Sequence, residues 1–229
     1  MKTYVISDIH GAYKALVECL QRSHFNYQED RLIILGDVCD GYPEVNRCLD
    51  ELLKIKHCDL IIGNHDLWAL DWALKGEMPE VWISQGGRAT LSAYPEGCMP
   101  QNHIQLLQKA QPWLVVENKI FIHAGFDPNF SLEQQGIDKL VWDRSLIYSA
   151  WQRSKEDSSY KFSVYEEIFL GHTPVQKFHS GLPLHLCNVW ALDTGAGHQG
   201  MLTIMDIHTK EYWQSNNVST LYPGLRSRY

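Results

Sequence analysis

The sequence predicts an α/β fold that opens with parallel strands, on three observations. Apolar runs at Thr3–Ile6, 32–35 and 60–62 have the length and branched content of buried strands. Amphipathic stretches separate them. A polar phrase then follows each run directly: Ser-Asp-Ile-His-Gly at 7–11, Gly-Asp-Val-Cys-Asp-Gly at 36–41 and Gly-Asn-His-Asp at 63–66. The phrases recur at intervals of about 30 residues, the size of a strand–helix–strand unit. Right-handed crossovers would lay such strands side by side and gather their C-terminal loops at one edge, the place where open α/β sheets bind ligands.

The elements follow in order. Tyr13–Arg22 carries Leu16, Val17 and Leu20 on one helical face, and Gly11 eases the turn into it. Val45, Cys48, Leu49, Leu52 and Leu53 mark a second helix. The middle is more helical, with apolar residues at helical spacing over 64–74 and 79–94, the latter broken at Gly86-Gly87, and a shorter helix over 101–110 stopped by Pro112. Strand patterns return at Trp113–Val116, Lys119–Ile122, 168–170, 189–192 and 201–207. The polar stretch 152–160 reads as a solvated loop and 222–229 as a C-terminal tail. No internal repeat, low-complexity tract or linker divides the chain, so residues 1–229 are expected to form one domain.

Composition narrows the class. Of 229 residues, 45% are hydrophobic and 21% charged, as in globular proteins, and the net charge of -7 disfavours a nucleic-acid polymer or a membrane surface as partner. Bound dications would change the local field without changing that balance. The six cysteines form no Cys-x-x-Cys pair, which points to buried thiols in a reducing compartment rather than a disulfide framework. The chain enters its first strand directly, with no signal-peptide pattern, and no apolar run approaches the roughly 18–20 residues of a membrane span. A cytoplasmic setting is expected.

Two further histidines follow strand patterns beside small residues, His123 in Phe121-Ile122-His123-Ala124-Gly125 and His172 in Leu170-Gly171-His172-Thr173-Pro174. The candidate donors are then Asp8, His10, Asp37, Asn64, His123 and His172, a mixed N/O set suited to two divalent metals side by side. Asp37 can offer one oxygen to each metal and is the natural bridge.

The order Asp-x-His, Gly-Asp-x-x-Asp, Gly-Asn-His-Asp, His-Ala-Gly and Gly-His resembles the calcineurin-like metallophosphoesterases. It is most similar to the small bacterial and phage serine/threonine phosphatases among them. The likeness extends through Val141-Trp142-Asp143-Arg144 and Leu192-Asp193-Thr194-Gly195-Ala196, so it covers nearly the whole chain. It implies a four-layered α/β/β/α sandwich of two mixed sheets flanked by helices. It also implies phosphate-ester hydrolysis by a metal-bridging hydroxide, without a covalent phosphoenzyme, with manganese, iron or zinc as the metals. By resemblance the first metal falls to Asp8, His10 and Asp37, and the second to Asp37, Asn64, His123 and His172. His65 matches the proton donor to the leaving oxygen, Asp40 the carboxylate that keeps its imidazole charged, and Arg144 an arginine whose fork grips phosphate. The substrate expected is a phosphomonoester, on a phosphoprotein or a small molecule. The rivals are a symmetrical dinucleoside tetraphosphate hydrolase and a catalytically silent scaffold, the last disfavoured because every ligand type and His65 are present.

The pattern departs from the family at one point. Where such proteins continue Asp-Arg-Gly, Asp40 is followed by Gly41, Tyr42 and Pro43. Arg47 lies one helical turn on and is expected to point elsewhere. The missing grip leaves open a looser hold on a monoester dianion, a site wide enough for a diester, or replacement by Arg88 in the glycine-rich turn. Asp66 reads as a supporting or capping group, and Asp193 as a turn residue rather than an aspartic-protease carboxylate. Trp68, Trp72 and Trp82 read as core in preference to a nucleobase stack. The remaining histidines (His24, His57, His103, His179, His185, His198 and His208) have no comparable setting.

Overall fold

The computed structural model describes residues 1–225. Strands β1 (Thr3–Ile6), β2 (Arg31–Ile34) and β3 (His57–Leu60) run parallel, with helices α1 (Tyr13–Arg22) and α2 (Val45–Leu52) as the crossovers. The antiparallel strands β9 (Thr203–Asp206) and β10 (Tyr212–Gln214) complete a first sheet in the order β10-β9-β1-β2-β3. The second sheet joins β4 (Trp113–Val116), β5 (Lys119–Ile122), β6 (Glu167–Leu170), β7 (Leu184–Leu186) and β8 (Val189–Ala191) in the order β4-β5-β6-β8-β7. In that sheet β5, β6 and β8 are parallel, while β4 and β7 run antiparallel at the two edges. Both sheets are therefore mixed, as expected.

The period-2 alternation of each strand sorts its side chains into separate layers. Val5, Ile33, Phe121, Phe169 and Met205 point between the sheets, where the Phe121 and Phe169 rings stack at 4.8 Å. Tyr4, Ile6, Leu32 and Ile34 face the other way, onto α1, α2, α3 (Asn64–Lys75) and α6 (Gln101–Gln108). Ile120, Ile122, Ile168 and Leu170 likewise meet α7 (Ile137–Trp142) and α8 (Ser145–Arg153). Strands buried on both faces read as continuous apolar runs, and that made β1, β2 and β5 visible in the sequence.

Several boundaries differ from expectation. The strand placed at 60–62 lies earlier, at His57–Leu60; Ile61 follows it as an isolated bridge to Gln111, with its side chain between the sheets. The helix expected over 79–94 divides into α4 (Glu80–Trp82) and α5 (Arg88–Ala93) around a wide turn, Ile83–Gly87, in which Gly86 has φ 108°. Helix α8 occupies the start of the stretch read as a loop, because Leu146, Ile147 and Ala150 form a buried stripe. Helix α7 and strands β7 and β10 are additional. Within the expected tail Tyr222 is buried, its hydroxyl 2.5 Å from a Glu44 oxygen and 3.0 Å from the Lys14 amide; 226–229 lie outside the described residues. All six cysteines are free. Among the described residues no helix is long and apolar enough to cross a membrane.

Candidate metal centre

The loops after β1 and β2 continue the pairing of the strands before them. The Asp8 amide donates to Gly36 O at 3.1 Å, His10 to Asp37 O at 2.9 Å and Gly11 to Val38 O at 2.9 Å. The second sheet supplies its histidines from the same end, and two bonds tie the sheets together there. His123 Nδ1 donates to Leu35 O at 2.6 Å, and the His172 amide donates to the Asp8 carboxylate at 3.0–3.1 Å. Asp8, His10, Asp37, Asn64, His123 and His172 are thereby gathered from both halves of the chain, all of them buried.

Four of these residues, together with His65, form two triads of donor atoms that share Asp37: His10, Asp37 and His65, and Asp37, His123 and His172, each within 4.8 Å. Asp37 Oδ2 lies 3.5 Å from both His10 Nε2 and His123 Nε2, midway between the groups. Asp8 stands beside the first triad rather than in it; its carboxylate also accepts from Ser7 Oγ. Asn64 Oδ1 is 3.1 Å from His123 Nε2.

The donor set fits a metal on its own chemistry. A carbonyl only accepts, so the bonds to Cys39 O (3.1 Å) and Leu35 O put the protons of His10 and His123 on Nδ1 and turn both Nε2 atoms inward. His123 Nε2 faces the Asn64 amide at 3.1 Å and Asp37 Oδ2 at 3.5 Å. Nε2 of His172 is buried with no hydrogen-bond partner. Burial pushes the Asp8 carboxyl up, and the nearby Asp193 pushes it further. Burial acts the same way on Asp37, but His123, His65 and His10 outweigh it and hold that carboxyl well below the usual range. His123 is opposed by burial yet raised to about 9, chiefly by Asp37, while burial and then His123 lower His172 to about 2. Asp37 is thus ionised and His172 neutral, the forms that bind metals, while Asp8 and His123 are pushed toward protonation, a balance that a cation in their midst would reverse.

His65, the third member of the first triad, has its Nδ1 2.7 Å from Asp40 Oδ2. Asp40 is itself fixed: the Trp82 indole N–H donates to Oδ2 at 2.8 Å, and the Thr90 hydroxyl donates to Oδ1 at 2.6 Å while accepting from the Asp40 amide at 3.0 Å. Asp66 bonds four backbone amides, those of Asp37 (2.7 Å), Val38 (2.9 Å), Cys39 (3.0 Å) and Gly63 (3.1 Å), so it pins the second loop to the start of α3. Burial and then Asp37 raise its carboxyl to about 6.

Arg144 lies at the start of α8 and is half-buried, with Nε lacking a partner; its charge contributes to lowering the His172 pKa. Arg88 is exposed at the start of α5, two residues before Thr90, and Gly86 O in the turn before it accepts from the Gly41 amide at 3.2 Å. Arg47 points away as expected, stacking 4.0 Å from the Tyr13 ring and pairing with Glu44. Asp193 forms a turn, accepting from Gly195 N at 3.0 Å. The sequence missed two contributors, the Trp82 and Thr90 donors to Asp40, which lie 42 and 50 residues from it along the chain.

A sequence profile of the calcineurin-like phosphoesterase family matches residues 1–198. The chain belongs to that family. It is 26% identical over 211 residues to serine/threonine-protein phosphatase 1 of Salmonella typhimurium, covering 89% of this chain and 91% of that protein. It is 30% identical over 138 residues to the symmetrical bis(5'-nucleosyl)-tetraphosphatase of Nitrosomonas europaea, covering 60% of this chain but 49% of the relative, so the match spans about half of that protein. A solved structure described as a candidate diadenosine tetraphosphatase superposes with a TM-score of 0.70 at 16% identity, over 93% of this chain and 92% of the other, a likeness of fold.

Proposed function

We propose that this protein is a phosphatase that hydrolyses phosphomonoesters with two divalent metal ions, manganese in the first instance and iron or zinc as alternatives. The observation that carries the reading is the pair of triads sharing Asp37, the first of which contains His65 bonded to Asp40. Asp8, His10 and Asp37 would hold one ion, and Asp37, Asn64, His123 and His172 the other. Bound there, the ions supply Lewis acidity: a nucleophile from water at neutral pH and neutralisation of phosphoryl charge.

The chain's own residues do the rest. His65 gives a proton to the departing alkoxide. Asp40 holds the imidazole oriented for that transfer, and Trp82 and Thr90 hold Asp40. Arg144 takes the phosphoryl oxygens in its guanidinium fork, with exposed Arg88 as the second grip that residue 41 lacks. Similarity to a serine/threonine-protein phosphatase over nearly the full length of both chains supports a phosphoprotein or small phosphomonoester as substrate. The tetraphosphatase relatives support the second reading, symmetrical hydrolysis of a dinucleoside tetraphosphate, over a shorter span. The free thiols and acidic charge support a cytoplasmic enzyme.

The test compares kcat/KM with added Mn²⁺ for p-nitrophenyl phosphate, a phosphopeptide and diadenosine tetraphosphate. Turnover of the monoesters that is lost in Asp37→Asn and His65→Asn is expected. Preference for diadenosine tetraphosphate would favour the second reading, and wild-type rates in both variants would refute the assignment of the site.

A further inference from the structure

We infer that Trp68 and Trp142 form an aromatic wall that selects phosphoesters whose leaving group carries a flat aromatic ring. The inference rests on the reading of His65 as donor to the leaving oxygen and goes beyond it by naming the class of group attached to that oxygen.

Four rings form a continuous edge-to-face chain across the site. His65 meets Trp68 at 5.2 Å and 89°, Trp68 meets Trp142 at 5.1 Å and 65°, and Trp142 meets His172 at 5.8 Å and 89°. The two indoles come from different elements, α3 and the end of α7, and converge between the histidine of the acid couple and a histidine of the second triad. Both are half-buried. Their neighbours Trp72 and Trp82 are instead buried and pack against each other at 6.2 Å. The expectation that the three tryptophans after the third motif are core holds for the buried Trp72 and Trp82; Trp68 packs against the same core but keeps part of its indole open beside the site.

Position gives the wall its chemistry. An oxygen that takes a proton from His65 has its next atoms within a ring's width of Trp68. Arg144, half-buried at the start of α8 two residues after Trp142, with a buried Nε that has no hydrogen-bond partner, is the group proposed to hold the phosphoryl end. A phenyl ring carried on the oxygen that His65 protonates would lie against indole carbon and gain by stacking; a short alkyl group would cover little of it.

The experiment uses Mn²⁺-loaded full-length protein and two non-hydrolysable probes, phenylphosphonate and ethylphosphonate, with Kd measured by calorimetry. Wild type should bind the phenyl compound about tenfold more tightly, the scale of one good stacking contact. That preference should fall to about twofold or less in Trp68→Ala and persist in Trp68→Phe, which keeps a flat ring if Trp68→Ala folds poorly. Equal binding of the two probes by wild type, or an undiminished preference in Trp68→Ala, overturns the wall and leaves the phosphatase reading standing. Binding of neither probe, together with no hydrolysis of any ester, overturns both.

Discussion

Replacing Asp66 by Asn tests whether this side chain holds the candidate metal loop in place. The carboxylate is fully buried and accepts from four backbone amides, two at each oxygen: Oδ1 from Val38 and Cys39, Oδ2 from Asp37 and Gly63. Asparagine has nearly the same shape, so no cavity forms, but one end becomes an NH₂ that cannot accept. With its oxygen kept toward Val38 and Cys39, the amide would face two N–H groups and leave both without partners. A buried donor without a partner costs about 1–3 kcal/mol, so the pair costs about 2–6 kcal/mol. That is a large share of the roughly 5–15 kcal/mol that holds a domain folded. At about 2–4 °C per kcal/mol for a chain of this size, a mid-range loss of about 4 kcal/mol lowers Tm by about 8–16 °C. Urea unfolding followed by circular dichroism should show the loss as a lower midpoint at unchanged slope. Asp71→Asn is the control: it lies on the same helix, is part-exposed, and pairs with Lys75 at 2.7 Å on the surface, so its change should stay within about 0.5 kcal/mol. A loss below about 1 kcal/mol in Asp66→Asn, or an equal loss in Asp71→Asn, would refute the reasoning.

Removing metal with a chelator should lower Tm, and Mn²⁺ should restore it in wild type but not in Asp37→Asn, because a ligand of the folded state stabilises by mass action; differential scanning fluorimetry reads this directly. Trp82→Phe removes the N–H donated to Asp40 while keeping a large ring, so kcat for p-nitrophenyl phosphate should fall about tenfold and its acidic-to-basic pH profile should shift, with KM changed less. Burial raises the Glu51 carboxyl, but bonds from Lys54, Tyr27 and Tyr13 outweigh it and leave the group below its ordinary value. It therefore contributes stability above the unfolded value of about 4.3 that is lost as pH falls through the folded one; a Tm-against-pH series should be flatter below about pH 5 in Glu51→Gln.

What the sequence revealed depended on how local each signal is. Strands β1, β2 and β5 are apolar on both faces and stand out. The polar β3, His57-Cys58-Asp59-Leu60, is a sheet edge with exposed and half-buried side chains, so the apolar pair after it attracted the assignment instead. The edge strands β7 and β10, three residues each, are too short to show a period. The candidate donors were legible because each sits in a phrase directly after a strand, where small neighbours and paired polar residues have no other common use. The support for Asp40 was not, since Trp82 and Thr90 reach it only through the broken α4–α5 segment. Helical spacing puts Trp68 on the same side as Trp72, against the core, without saying where that side meets the site.

The same phrases also explain why the site needs the rest of the fold. Asp8, His10, Asp37, Asp40 and His172 all have left-handed backbones, with φ between 47° and 68°. Such a conformation costs about 1–3 kcal/mol each, less for Asp than for most residues because its short side chain tolerates it. Five together amount to about 5–15 kcal/mol, comparable with the net stability of a whole domain. The turns persist because their amides continue the parallel ladder beyond the strand ends and because Asp66 caps the second loop. Close approach is the other requirement. A Cβ on Gly63 would overlap the Asp37 carboxylate and amide, and one on Gly171 would overlap Ser7 Oγ and Asp8 Oδ2. The glycines beside the candidate donors are therefore spaces already filled by the neighbouring loop, and the left-handed turns aim the donors across them. Sheet pairing, the Asp66 cap and the two glycines act together to hold donors from both sheets around one point. That rigidity is what lets Asp37 stand between two histidines, 3.5 Å from each.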